Sequence, residues 1–173
     1  MSRLLDRLEL LKAQGTLIHR PSAYGGYETP RTLYVTRQIA ADAKEPFSKD
    51  EQGEAVAEMA AWFDAFSDEV EFSVSENCKE KPPDTMLARV CPPEAEFWSI
   101  RVIDPEEKNR IRVFGAFAAR NKFVALHWDH RGNLDDFTET VNNVRSDWSG
   151  LVGGEPPYKG RTLDDYLSKS HRA

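Results

Sequence analysis

The chain has 173 residues, of which 40% are hydrophobic and 30% are charged, and its formal net charge at pH 7 is −6. These values are ordinary for a soluble globular protein of one domain, residues 1–173, and the acidic balance argues against a nonspecific nucleic-acid coat. A run of about 18 apolar residues is absent from the sequence, so we expect neither a membrane span nor a membrane partner.

The first fifteen residues carry charges throughout their apolar stretch, which is not the pattern of a secretory signal. We therefore expect a cytoplasmic protein, in which Cys78 and Cys91 would stay reduced. Together with His127 and His130 these cysteines are potential zinc ligands, but no Cys-x-x-Cys pair supports a site. The sequence predicts no metal and no cofactor.

In the N-terminal part, Ser2 is placed to cap a first helix of regularly spaced leucines that Gly15 would end. Residues 17–18 begin an extended piece. Residues 32–39, TLYVTRQI, have the β-branched and aromatic content of a strand. The N-terminal part therefore predicts both helix and sheet.

Ser48 and Glu51 form a capping-box pattern ahead of a second helix, predicted over residues 50–67. Alternation of apolar and polar residues at 70–74 predicts a half-buried strand. Residues 76–96 contain two Pro-Pro pairs, which argue against a regular helix or an interior strand. We interpret this stretch as an irregular proline-rich loop or arm.

Residues 97–128 predict three consecutive strands with short connections, which most simply form an antiparallel meander. Apolar residues spaced three and four apart then predict a helix over residues 134–152 that ends near Gly153. The sequence thus predicts an α+β fold, in which the 50–67 and 134–152 helices pack on an antiparallel sheet. Thr162 is placed to cap a short final helix.

Charge is unevenly distributed along the chain. Residues 38–96 hold five basic and fifteen acidic residues, whereas residues 97–134 hold seven basic and four acidic ones. The acidic segment is most simply a solvated surface, but it could also bind a basic partner. The basic segment is where the sequence directs the search for function.

Arg110 and Arg112 lie two apart and should emerge on one face of their strand, where arginine forks suit phosphate oxygens. Lys122 on the next strand would add to an RNA-binding surface. His127 and His130, with Arg131, are candidates for catalysis by proton transfer and charge. The simpler interpretation is a solvated basic sheet face paired with nearby carboxylates. Trp128 beside the histidines could stack on a base or anchor a protein partner, but it is more simply a core residue.

The same segment resembles the sheet of the RelE/HigB-like family, the toxin halves of toxin–antitoxin modules. Trp98 to Val102 is similar to the family's first strand, Arg112-Val113 to its second and Val124 to His127 to its third. Asp129-His130-Arg131-Gly132 occupies the place of the family's basic turn. The resemblance covers residues 97–134 and implies a small α+β fold acting on ribosome-bound mRNA without a metal. The C-terminal region also looks like uncharacterised prophage proteins.

The leading functional hypothesis is an RNA- or ribosome-directed protein of toxin type, which as an enzyme would be a metal-independent endoribonuclease. RNA, the ribosome or an antitoxin-like protein would be its partner. The alternative is a non-catalytic prophage or host-interaction protein that binds a protein partner through its acidic middle region. A homodimer, in which the chain is a structural module, is a third possibility.

Overall fold

The computed structural model describes residues 2–22, 31–102 and 111–173. Within these ranges the strands are β1 (Leu17–Arg20), β2 (Thr32–Thr36), β3 (Phe72–Ser75), β4 (Leu87–Arg89), β5 (Phe97–Val102), β6 (Ile111–Ala119), β7 (Lys122–His130) and β8 (Ser170–Arg172). The helices are α1 (Arg3–Ala13), α2 (Arg37–Asp42), α3 (Glu51–Ser67), α4 (Phe137–Val152) and α5 (Leu163–Tyr166). Short 3₁₀ turns occupy Pro93–Ala95 and Arg131–Asn133.

The strands form one mixed sheet in the order β1-β2-β7-β6-β5-β4-β3-β8. The predicted α+β class is confirmed, and β5, β6 and β7 form the predicted antiparallel meander. Three pairs are parallel instead, namely β2 with β7, β3 with β4 and β3 with β8. Sequence periodicity does not reveal these pairs, because it does not specify which strands become neighbours; β2–β7 and β3–β8 also join segments that are distant along the chain.

Two core clusters lie on opposite faces of the sheet. One cluster packs α2, α3 and α5 on the face that carries Trp98 and Phe117. The other packs α1 and α4 on the face that carries Phe114. The two long helices predicted from their apolar spacing, α3 and α4, therefore cover different faces, as the alternation of buried residues along β5 and β6 requires. No helix in the described ranges is long and apolar enough to cross a membrane.

Local signals place most helix ends, with two corrections. Ser2 accepts a hydrogen bond from the backbone N–H of Leu5, as predicted for an N-cap. The cap of α3 is Asp50 rather than Ser48, because the Asp50 carboxylate accepts from the N–H of Gly53 while the Ser48 hydroxyl donates to Asp50. The predicted 32–39 strand ends at Thr36, whose side chain caps α2.

The stretch 76–96 is not irregular throughout, because it contributes β4 to the interior of the sheet between β5 and β3. The prediction that the paired prolines exclude an interior strand is therefore wrong. Pro82-Pro83 and Pro92-Pro93 flank β4 and leave its backbone N–H groups free for pairing. The strand at 70–74 is also more buried than predicted, since all four residues of β3 are covered.

The expectation of reduced cysteines is also wrong. Cys78 and Cys91 form a disulfide, with their Cα atoms 5.1 Å apart. Their separation of 13 residues gave no sign of this proximity, which arises because β4 pairs with β3 and returns the chain beside the segment that left β3. The bond ties the β3–β4 loop to the end of β4.

Candidate anion-binding site

The site begins with two arginines on neighbouring strands of the sheet. Arg101 of β5 and Arg112 of β6 are directly paired in the antiparallel register. Both belong to the face covered by α1 and α4, because their alternating neighbours Ile100, Val102 and Ile111 lie in the core of the opposite face. Two like charges therefore lie directly opposite each other across this strand pair, and Arg112 also lies opposite Asp129 on the other side, in β7.

Each guanidinium is held by main-chain oxygens. Arg101 Nη1 donates to the carbonyls of Pro82 at 2.9 Å and Thr85 at 3.3 Å, which joins β5 to the β3–β4 loop. Arg112 Nη1 donates to its neighbour Ile111 at 3.0 Å, and the Arg112 residue is only 6% exposed. These main-chain contacts therefore fix the positions of both guanidinium groups.

The β3–β4 loop supplies the third cation, Lys81. The loop is shaped by the Ser75 hydroxyl, which donates to the carbonyls of Asn77 and Glu80. The Cys78–Cys91 disulfide then closes it against the end of β4. Lys81 lies three residues beyond Cys78 and is half-buried.

The fourth cation, Arg131, lies in the turn between β7 and α4. Its Nη1 donates to the Leu134 carbonyl at 3.1 Å, and its guanidinium carbon lies 4.8 Å from the centre of the Phe137 ring. Thr138 follows in the first turn of α4, where Asp136 caps the helix by accepting from the N–H groups of Thr138 and Glu139. Arg131 is thus fixed in orientation although it is exposed.

These segments enclose a cavity of about 380 Å³, a volume within the range of small-ligand sites. The described residues that line it are of three kinds: basic side chains, the two cysteines of the disulfide, and uncharged polar or apolar residues. They are Cys78, Lys81, Val90, Cys91, Ser99, Arg101, Arg112, Arg131, Phe137 and Thr138. Four separate parts of the chain therefore bring a cation to one cavity.

The four cations interact electrostatically. Burial lowers the pKa of Lys81, and the charges of Arg101, Arg112 and Arg131 lower it further. All these causes act in the same direction, so a protonated Lys81 is held here against repulsion. A negative charge beside Lys81 would act in the opposite direction and raise the pKa of Lys81.

The residues predicted from sequence to bind RNA do not all lie at this cavity. Arg112 lines the cavity, and Arg131, predicted from sequence as catalytic, lines it too. Lys122 is the first residue of β7, at the opposite end of that strand from Arg131. Arg110 lies outside the described residues. Of the basic residues predicted as site residues, Arg112 and Arg131 therefore lie at one cavity, whereas Lys122 does not line it.

The two predicted catalytic histidines line a second cavity of about 430 Å³. The His127 ring stacks on Phe114 with the ring centres 6.3 Å apart. His130 Nε2 lies 2.8 Å from the side-chain oxygen of Gln52 on α3, and its ring meets Trp128 edge to face. Neither histidine lines the basic cavity. Trp128 packs partly against the core, and its Nε1 donates to Asp42 at 2.8 Å.

Sequence reasoning missed Lys81 as a site residue and did not assign Arg101 a role. Arg101 carried a detectable signal, since a meander that places Arg112 on one face also sets an arginine of the preceding strand beside it. Lys81 lies in the acidic segment, and its only signal was its position between the two cysteines. Regarding metals, no group of three or more His, Cys, Asp or Glu that could hold an ion occurs in the part of the chain that the structure describes.

Comparison with known proteins gives no family assignment. No protein-family model matches the chain, and neither the curated proteins nor the solved structures include a significant match. The resemblance of residues 97–134 to RelE/HigB-like toxins, and that of the C-terminal region to prophage proteins, therefore stay predictions.

Proposed function

We propose that this protein binds a phosphate-bearing ligand of nucleotide type in the basic cavity, as a free nucleotide or as part of an RNA. The observation that carries the proposal is the convergence of Lys81, Arg101, Arg112 and Arg131 on one cavity. Arginine forks match phosphate oxygens in geometry and charge, and a lysine adds a point charge. The RNA- or ribosome-directed role implied by the family resemblance is compatible with this chemistry.

The cavity favours a compact ligand group over a long polyanion. Its volume of about 380 Å³ suits one nucleotide-sized group. The rest of the protein carries an acidic excess, with a net charge of −6 for the whole chain, and would repel an extended nucleic-acid backbone. An RNA would therefore bind through one phosphate-bearing nucleotide or end inserted into the cavity, rather than along a broad surface.

Replacing Arg112 with methionine should weaken phosphate binding by about tenfold to a hundredfold, the usual cost of losing one charge-assisted hydrogen bond. Calorimetric titrations with pyrophosphate, adenosine monophosphate and a short single-stranded RNA measure this at low salt. The control is Arg145→Met, which removes an exposed arginine of α4 outside the cavity and should leave the affinity unchanged.

The three ligands separate the sources of the phosphate. Binding of RNA without binding of the mononucleotide assigns the site to RNA, and equal binding of both assigns it to a free nucleotide. If none of the three binds the wild-type protein, the proposal is wrong. Because Arg112 is buried, Arg131→Met provides a second variant at an exposed position, with thermal unfolding to confirm that both variants are folded.

Cleavage of RNA is a separate hypothesis from the sequence, in which His127, His130 and Arg131 have the catalytic roles. A general base must come within hydrogen-bond reach of the proton it removes. Only Arg131 of these three lines the basic cavity. We therefore propose binding without cleavage, so the RNA recovered from the titrations should run intact on a denaturing gel.

The alternative function, binding of a protein partner through the acidic middle region, is favoured by one observation. Glu51, Glu54 and Glu58 are all exposed on α3. Reversing the three charges to lysine should abolish capture of a basic partner and leave the pyrophosphate affinity unchanged. A pull-down that recovers the same proteins with both forms would contradict this alternative. An antitoxin-like partner or a homodimer stays a prediction, to be tested by the mass of the complex in solution.

A further inference from the structure

The Cys78–Cys91 disulfide is part of the wall of the basic cavity, since both cysteines line it. Cys91 is exposed, and Cys78 is half-buried. A reductant in solution therefore has access to the bond. The disulfide is therefore part of the site itself rather than a remote cross-link.

The disulfide closes the segment that carries Lys81. Hydrogen bonds hold this segment to β3, through Ser73 and Ser75, and to Arg101 of β5. The disulfide adds a covalent link from Cys78 to the end of β4. Lys81 is held half-buried beside three arginines, against both desolvation and repulsion. A lysine side chain is flexible and strongly hydrated, so once the loop is released its charge is more stable in water.

We propose that the redox state of Cys78 and Cys91 controls the affinity of the cavity for its anion, because the disulfide holds Lys81 at the site. This inference rests on the proposed function. The oxidised protein has all four cations at the cavity and binds tightly. The reduced protein keeps Arg101, Arg112 and Arg131 in place. The loop loses its covalent link to the end of β4, so the Lys81 side chain turns into solvent and the anion is bound more weakly.

The chemistry of the switch is a thiol–disulfide exchange with a dithiol. One thiolate of the dithiol attacks a sulfur of the pair, which forms a mixed disulfide and releases the other cysteine as a thiolate. The second thiol of the reductant then displaces the remaining cysteine. Two electrons and two protons pass to the protein, which ends with two thiols, while the dithiol becomes a cyclic disulfide.

The test is a calorimetric titration of the full chain with pyrophosphate, before and after treatment with dithiothreitol. We expect reduction to weaken binding by about tenfold, the loss of one charge-assisted contact. The Cys78→Ser, Cys91→Ser double variant should bind like the reduced protein and should not respond to dithiothreitol. Far-ultraviolet circular dichroism establishes that the reduced protein is folded.

Lys81→Met separates the role of the lysine from that of the loop. It should bind weakly in both redox states, because the group that the disulfide positions is gone. The matched control is Lys79→Met, two residues away in the same loop, where the lysine is exposed and outside the cavity. This control should keep both the wild-type affinity and the full response to dithiothreitol.

The outcomes distinguish the two proposals. If the oxidised protein binds none of the phosphate ligands, the proposed function is wrong. If it binds pyrophosphate and the folded, reduced protein binds it equally well, only the redox inference is overturned. Should reduction unfold the protein, the oxidised Lys81→Met variant decides: wild-type affinity in that variant overturns the inference.

Discussion

Replacing Arg31 with methionine should lower the free energy of unfolding by about 3 kcal/mol or more, the scale for removing a buried charge that satisfies several acceptors. Arg31 is only 2% exposed. Its guanidinium donates to the carbonyls of Phe66 and Val70 at the end of α3, and to those of Ser168 and Lys169 before β8. The substitution would leave these carbonyls without their donor.

The guanidinium also lies 5.6 Å from the centre of the Phe66 ring and 5.5 Å from that of Phe72. Burial lowers the pKa of Arg31 to about 10, so the side chain is still charged at neutral pH. Urea unfolding followed by circular dichroism measures the effect. The exposed Arg145→Met serves as the control, with a change within about 0.5 kcal/mol. A loss below about 1 kcal/mol for Arg31→Met would contradict a central structural role.

Gly115→Ala should be comparably destabilising, by about 2 kcal/mol or more, because the added methyl group has no space. A Cβ at Gly115 would lie 2.0 Å from the Val124 carbonyl oxygen and 2.9 Å from the ring of Phe123. The neighbouring atoms are main chain and a fully buried ring, so the strands themselves would have to separate.

Gly150→Ala is the matched control for this substitution. Gly150 lies in α4, and a Cβ there would meet no atom within 4 Å apart from its chain neighbours and the backbone of its own helix. Alanine should therefore stabilise the helix by about 0.5 to 1 kcal/mol through its higher helix propensity. Thermal unfolding of the two variants should shift in opposite directions. Equal shifts would mean that the close approach at Gly115 is not the cause.

Local sequence signals predicted the elements whose partners are nearby. Regular apolar spacing located α3 and α4, and alternation with short turns located the β5–β6–β7 meander. The parallel pairs could not be predicted, because nothing in β2 specifies that it lies beside β7 rather than beside another strand. The disulfide depends on one of these pairs, β3 with β4, and so was equally hidden.

The predicted site residues were assigned to faces of the sheet by strict alternation of side chains along each strand. A bulge in β7 interrupts this alternation. The register between β6 and β7 shifts between Phe114 and Gly115, so that Phe114 opposes His127 whereas Gly115 opposes Ala125. Leu126 is the extra residue, and the strand positions beyond it change face relative to simple alternation. Arg112 was correctly placed on one face of β6 because no shift separates it from Ile111 and Val113.

The pairing of β2 with β7 has a consequence for how the protein folds. Thr32 is the partner of Lys122, so the contact closes a loop of about ninety residues. Loop closure of this size must precede the gain from pairing, which makes formation of the sheet slow compared with local helix formation. On the ribosome, β1 and β2 would emerge long before β7 is synthesised. The apolar surface of α1 and β2 would stay uncovered during that interval, which is when the chain most needs protection from aggregation.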